Sequence, residues 1–515
     1  MNIRTFALIA IAALCGAHTA AGQNKAKQPA KTQAADTKKK TTAKPFGKPQ
    51  EAGKDIVNFN VKVKDYAGKP VVLGYYFDEK MLVKDTVWTD ARGIANFKRD
   101  TLLAEGLYLL HFPENGGVMD ILMPHEQKFT LEVDTLPQGA ARAKVKNSQP
   151  LANFIDYQKF IIAKQLEFKE LNKEFMEARK NGDQAKQDQL RAQFAKTDSL
   201  VTLHNDQTIA ANKDNFLANF LRALKDVEVP KFTFPESMTQ AERDSAQQVR
   251  SYYYYRGHFY DNFDLTDDRL LRTPFFTKKI NKYFDESVPQ VADSVAAEAI
   301  RLIEMCRPNP DMFRFFVSTM YNRVNQSNIM GMDAALVKIA DRYYLSGQAD
   351  WADDKFIEDL RENVNGIRYT LIGLKAPDMK MPSVGGEWFQ LSEIKAPYTV
   401  LAFWEPSCGH CKKEIPHLKT AVYDKFAQYG VKVFAVYVQV DEAPWKEFIE
   451  EHQLEDFINV YDPYGRSRYR QYYHIKSTPT LFVLDKDKTI VAKKLGVDQI
   501  ADFLSHMLEL DKEAK

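Results

Sequence analysis

The apolar pattern of this chain changes period along its length, and each change limits what the next segment can become. From Ile56 the period is two: Val57, Phe59, Val61 and Val63 alternate with polar residues, the mark of a strand with one buried face. The turn DYAGKP follows, then VVLGYYF, DTVWTDARGIANF with a turn at Ala91-Arg92-Gly93, GLYLLHF, VMDILM and KFTLEVD. Short strands punctuated by Gly, Pro and Asp predict a small antiparallel β-sandwich over residues 55–145, its last strand ending near Val133. After Asn147 the period becomes helical. Phe154, Ile161, Phe168 and Phe175 recur every seven residues, with Tyr157 and Leu171 on the same stripe, until Asn181-Gly182 stops the helix. Further helices are expected over 183–206 and around Phe216–Leu224, and the chain reads as an all-α domain over 150–365. From Ala376-Pro377 the elements alternate: a hairpin at Gly385-Gly386, strand TVLAFW, a helix from Cys408, VKVFAVYV, APWKEFIEEH, FINVYD, GRSRYRQYY, TPTLFVLD, KTIVAKKLG and QIADFLSHMLEL. That alternation predicts an α/β sandwich around a central sheet over 374–511.

Three cores suit a chain of 515 residues, which is too long for one. A net charge of +2 argues against a nucleic-acid binder, whose footprint is usually strongly basic. The first residues combine Arg4, an apolar stretch from Phe6 to Leu14 and small residues at Ala20 and Gly22. This reads as a cleaved signal peptide over 1–22, hence an exported, periplasmic protein. Cys15 follows that stretch, but Leu14 stands where a lipoprotein signal normally has Gly, Ala or Ser, so lipid anchoring is not expected. Residues 23–54 are rich in Lys, Ala, Thr, Gln and Pro and hold too few large apolar groups to offset the entropy of ordering. They are expected to form a disordered linker whose lysines leave room for peripheral association with anionic headgroups.

Four cysteines occur, Cys15, Cys306, Cys408 and Cys411, too few for a disulfide-stapled scaffold. Cys408 and Cys411 lie in WEPSCGHCKKEIP, where a strand hands over to a helix. A thiolate at a helix N-terminus is stabilised by free N–H groups and the positive end of the dipole. Cys411, one turn on, is placed to attack a mixed disulfide formed at Cys408. A zinc site needs about four ligands, and the scattered histidines with Cys306 supply them poorly, so no metal is expected. A structural disulfide closing so short a loop would constrain little chain. Cys306, in RLIEMCRPNP, reads as a buried small hydrophobe. The tyrosine-rich run SYYYYRGHFYDNF reads as helix packing with hydroxyls at the rim, and His258 within it has no second ligand at metal spacing.

Strand–WxxxCxxC–helix followed by STPTLFVLD resembles the thioredoxin fold. The CKKEIP continuation is similar to the exported thiol–disulfide oxidoreductases of the TlpA/ResA type, over about 374–510. The resemblance implies that Cys408 is the attacking thiolate, Cys411 the resolving thiol, and Glu414 an acid that assists proton transfer to and from the buried cysteine. It also implies that Pro479 is a cis-proline, with Trp404, Thr478 and Pro479 contacting substrate. Gly409 and His410 replace the usual Gly-Pro and occur also in protein disulfide isomerases, so they are expected to tune the couple. The implied activity acts on protein thiols and disulfides without a cofactor, together with an upstream redox donor or acceptor. It serves cell redox homeostasis, reductively as in cytochrome c maturation, or in the oxidising or isomerising direction. A small β-sandwich and a helical segment ahead of a thioredoxin domain resemble modules without assigned activity. A thiol peroxidase is an alternative, but Glu405 stands where that group needs a threonine. A further alternative is an envelope binding or scaffold protein whose residues 55–365 carry the main function.

Overall fold

The computed structural model describes residues 52–114, 116–133 and 139–513. The expected signal peptide, Cys15 and all but the last three residues of the expected linker lie outside them; Ala52 already opens the first strand. Among the described residues no helix is long and apolar enough to cross a membrane. The chain divides into two compact units, one running to Val288 and taking in Met305–Phe313, the other comprising Pro289–Glu304 and Arg314 onward. The division falls inside the helical stretch.

Among the described residues of the first unit, eight strands follow in order: β1 (Ala52–Val63), β2 (Pro70–Phe77), β3 (Lys80–Trp88), β4 (Ile94–Thr101), β5 (Gly106–Phe112), β6 (Gly117–Met123), β7 (Thr130–Val133) and β8 (Lys144–Lys146). They form two four-stranded sheets, β4-β1-β7-β8 and β3-β2-β5-β6. Val57, Phe59, Val61 and Val63 are all buried, and the Phe59 ring stacks between Phe97 and Phe129, each 4.8 Å away. All pairings are antiparallel except β1 with β7, which run parallel from Asn60↔Thr130 to Val63↔Val133. β7 reaches β1 after the chain has crossed the other sheet, so no hairpin dictates its direction. Gly93 occupies a turn at φ +75, where a Cβ would stand 2.3 Å from the Val63 carbonyl oxygen; only glycine fits.

Helices α1 (Gln149–Lys180) and α2 (Gln184–Ala211) are joined at Asn181-Gly182, and Ser148 and Asp183 cap their N-termini by accepting the Leu151 and Lys186 N–H groups. Helices α3 (Phe216–Leu224), α4 (Gln240–His258) and α5 (Phe276–Glu286) follow. The aromatic run divides along its length. Phe259 and Tyr260 are buried, with Phe259 stacked on Tyr283 at 4.0 Å, whereas Tyr252 and Tyr253 on α4 are exposed.

Helices α6 (Ala292–Cys306) and α7 (Pro310–Asn325) are each divided between the units, and α8 (Asp333–Ile339) and α9 (Asp354–Arg368) belong to the second. Cys306, at the end of α6, is buried, and burial pushes its thiol far above the ordinary range. A hairpin of β9 (Lys380–Pro382) and β10 (Trp388–Gln390) precedes the main sheet. The sheet's elements are β11 (Tyr398–Trp404), α10 (Cys411–Leu418), β12 (Lys432–Tyr437), α11 (Glu442–Glu451), β13 (Ile458–Tyr461), α12 (Tyr469–Tyr473), β14 (Thr480–Asp485), β15 (Ile490–Lys493) and α13 (Val497–Glu513). Strand order is β13-β12-β11-β14-β15, with β11 central, parallel to β12 and antiparallel to β14.

Every residue of β11 is buried because each face of the sheet carries its own core. Val400, Ala402 and Trp404 join one core with Ile415 and Leu418, while Leu401 and Phe403 join another with Val436 and Tyr473. Two polar contacts secure the helices to this sheet. Lys493, almost fully buried on β15, pairs with the equally buried Asp333 of α8 and donates to the Thr370 carbonyl at 2.5 Å. Lys476 donates to Asn363 of α9 at 2.9 Å. Beside it, Gly366 of α9 meets His474 so closely that a Cβ would lie 2.3 Å from the imidazole Cγ.

Candidate active site

β11 delivers the chain to the centre of the sheet's edge, and the loop 405–410 turns it into α10. The helix begins at Cys411, three residues later than expected, with His410 at its cap position. Cys408 lies just ahead of it, held at both backbone groups: its N–H donates to the Glu405 carbonyl at 3.3 Å and its carbonyl accepts from Lys412 at 3.1 Å. The backbone N–H groups of Cys411 and His410 favour the Cys408 thiolate. Cys408 is half-buried and packs against the edge of the core; Cys411 is inside it, 0% exposed, beside Trp404 and Ile415. Both are free thiols.

Thr478 and Pro479 approach from the start of β14. Their peptide bond is cis, and the Thr478 carbonyl accepts a hydrogen bond from the Cys408 thiol at 3.1 Å. The surroundings split the two cysteines electrostatically. The Thr478 hydroxyl, then the Cys411 N–H and thiol and the His410 N–H, hold Cys408 below the ordinary cysteine range. Burial pushes Cys411 up to about 12. At neutral pH the accessible sulfur is the one that ionises more readily, and the enclosed sulfur keeps its proton.

Other expected site residues fall differently. Trp404, expected on the substrate surface, is 0% exposed and packs on Phe448, with ring centroids 5.1 Å apart, and on Tyr437. Its place on β11 gives it the parity of Val400 and Ala402, and therefore their buried face. Glu414 is half-buried on the first turn of α10, and among the described residues its carboxylate has no hydrogen-bond or ion-pair partner. Gly409 and His410 are exposed; His410 acts on Cys408 through its backbone N–H rather than its ring.

Glu405 is the site residue that sequence reasoning missed. Its Oε1 accepts from the Thr478 hydroxyl at 3.2 Å, and its Oε2 accepts from Ser407 Oγ at 3.0 Å and Gln439 Nε2 at 2.7 Å. The available signal was a carboxylate placed where a wholly apolar strand ends, next to the cysteines.

The C-terminal part of the chain is similar to several known proteins. The AhpC/TSA family matches residues 372–493. The thiol-disulfide oxidoreductase ResA of Bacillus cereus is 27% identical over 125 residues, 24% of this chain and 70% of that protein. The protein of the same name from Geobacillus kaustophilus is 28% identical over 136 residues, 26% of this chain and 76% of that one. Among solved structures, a domain of a possible thiol-disulfide isomerase from Cytophaga hutchinsonii shares 34% identity, covering 28% of this chain and 97% of that one, with a TM-score of 0.26.

Proposed function

We propose that this chain, whose C-terminal region is a thioredoxin-like protein disulfide oxidoreductase, exchanges disulfides with exported proteins through the Cys408-Gly409-His410-Cys411 dithiol. The observation that carries the reading is the asymmetry of the pair: a half-buried sulfur held below the usual cysteine range and a buried one raised to about 12. Cys408 attacks a substrate disulfide as the thiolate, forming a mixed disulfide and releasing one substrate thiolate. Cys411 then attacks the Cys408 sulfur, the second substrate thiolate leaves, and the CGHC pair is oxidised. An exported thiol donor returns it to the dithiol.

In this reading Thr478 and Pro479 form the shelf for an extended substrate segment. Gly409-His410 bias the couple, and Glu414 is an accessory carboxylate on α10. Export rests on the N-terminal pattern from Arg4 to Gly22. For the direction we propose reduction, as in cytochrome c maturation, on the resemblance of WEPSCGHCKKEIP to the TlpA/ResA-type motif.

Insulin reduction driven by dithiothreitol tests the reading. Cys408→Ser should abolish it, and an undiminished rate would overturn the proposal. The reduction potential of the pair sets the direction: a value near about −270 mV indicates a reductase, and one between about −120 and −180 mV an oxidant or isomerase.

A further inference from the structure

A cavity of about 760 Å³ opens at one end of the sheet β4-β1-β7-β8, and no residue of the thiol site lines it. Its volume is within the range of small-molecule sites. Five cationic side chains line it, drawn from four separate segments. Lys62 and Lys64 come from the end of β1, Arg92 from the turn before β4, Arg142 from the helical turn Gly139–Arg142, and Lys144 from β8.

Strand register brings several of these groups together. Lys62 stands opposite Glu132 in the parallel pairing of β1 with β7, and Glu132 stands opposite Lys144 in the antiparallel pairing of β7 with β8. The three side chains therefore share one face of the sheet. The turn that carries Arg92 is held by Asp90, whose Oδ1 accepts the Arg92 and Ile94 N–H groups at 2.8 and 2.9 Å and whose Oδ2 accepts from Arg92 Nε and Nη2 at 3.2 and 3.1 Å. The cavity thus has a sheet for its floor and a fixed turn for one wall.

Most of this positive charge is left without a counter-charge inside the protein. Elsewhere in the unit, lysines meet carboxylates: Lys159 pairs with Asp156, Lys186 with Glu174 and Lys225 with Asp206. Among the described residues, Lys62, Lys64, Arg142 and Lys144 have no ion-pair partner. Glu132, which lies between two of them, is taken by Lys146, whose ammonium donates to Oε1 at 2.9 Å. A chain with a net charge of only +2 therefore gathers mutually repelling cations around one concave site, which attracts anions.

We propose that this cavity binds a phosphorylated sugar carrying more than one phosphate group. The lysines and Arg142 supply charge-assisted donors to phosphate oxygens. Asp65, which also lines the cavity, and the second oxygen of Glu132 accept hydrogen bonds from sugar hydroxyls, whereas they repel a bare polyphosphate. The ligand comes from solution rather than from a bilayer surface. Tyr66 and Val133, the large apolar residues of the lining, are buried, so the cavity offers no side chain to insert among lipids.

Isothermal titration calorimetry of the full chain with glucose 1,6-bisphosphate tests the site. Saturable binding with a Kd below about 1 mM is expected, weakening as salt is added. Pyrophosphate should bind at least about tenfold more weakly, and glucose should not bind. Lys62→Gln combined with Lys144→Gln should weaken bisphosphate binding by about tenfold to a hundredfold, the loss expected of two charge-assisted contacts. Arg142→Gln should act in the same direction and serves if the double variant does not fold. Lys169→Gln combined with Lys173→Gln removes the same charge from exposed positions on α1, outside the cavity, and should leave binding nearly unchanged. Absence of bisphosphate binding, pyrophosphate binding as tight as that of the bisphosphate, or an equal loss in the α1 variant overturns the proposal. Association with phosphatidylglycerol vesicles in place of the soluble ligand overturns it as well.

Discussion

The sulfur of Cys408 lies 3.1 Å from the carbonyl oxygen of Thr478, seventy positions further along the chain. This contact joins the strand-to-helix turn that carries the reactive thiol to the loop on which we propose that substrate rests. The same threonine reaches Glu405 through its hydroxyl, so one residue meets both the sulfur and the carboxylate.

Thr478 is also the leading reason that Cys408 ionises early, which a pH profile checks. In the reduced protein, iodoacetamide should modify Cys408 with a midpoint below the ordinary cysteine value of about 8.5, and Cys411 only as pH approaches about 12. Thr478→Val should move the Cys408 midpoint upward; an unmoved midpoint would show that the hydroxyl does not act on the sulfur. Stability follows with opposite signs. Cys408, lowered on folding, adds stability as pH rises through its folded value and loses it as pH falls; Cys411, raised on folding, subtracts stability above about 8.5. The reduced form, measured against the oxidised form by chemical denaturation, should therefore be most stable near that pH.

Trp404→Ala should cost about 3–5 kcal/mol of stability, as large-to-small changes in a packed core do. Trp404→Phe should cost less and leave KM for a peptide disulfide unchanged. A raised KM with unchanged stability would put the indole back on the substrate surface.

Gly366→Ala brings a methyl group into the His474 ring, and overpacking of this kind costs about 1–3 kcal/mol. The disturbance sits four residues before Thr478, so disulfide exchange should slow as the thermal midpoint falls. His474 holds a left-handed conformation at φ +49, which glycine adopts freely. The double variant Gly366→Ala with His474→Gly should regain both properties.

Much of this was legible before the fold was known, and the reason lies in range. The alternation of Val57 to Val63, the caps at Ser148 and Asp183, and the pairing of Cys408 with Cys411 depend on neighbours a few residues away. Parity along β11 could even have placed Trp404 in the core, had it outweighed the habit of reading an aromatic beside a cysteine pair as a substrate contact. Glu405 was not legible, because its meaning comes from Thr478 and Gln439, which only the folded sheet brings to it. The parallel pairing of β1 with β7 and the close meeting of Gly366 with His474 were hidden for the same reason. No local period records which distant segment will arrive.

Asp333→Asn and Lys493→Met should each cost about 3–5 kcal/mol, since each leaves one member of a buried pair without its counter-charge. The double variant should cost less than the sum, which a double-mutant cycle by denaturation will read. Burial lowers Lys493 on folding, with Asp333 opposing the shift. The folded chain therefore sheds this proton before the unfolded chain does, and stability rises with pH towards the ordinary lysine value of about 10.4. Asp333→Asn should move that rise to lower pH.

The family match begins at residue 372, but the ammonium of Lys493 is neutralised by Asp333 and bonded to Thr370, both of which precede it. A fragment cut at the family boundary would keep both cysteines and lose the two groups that make its last strand tolerable in the dark of the core. In this chain the last strand of the sheet takes its counter-charge from α8, and substitutions at 333 and 493 are expected to travel together.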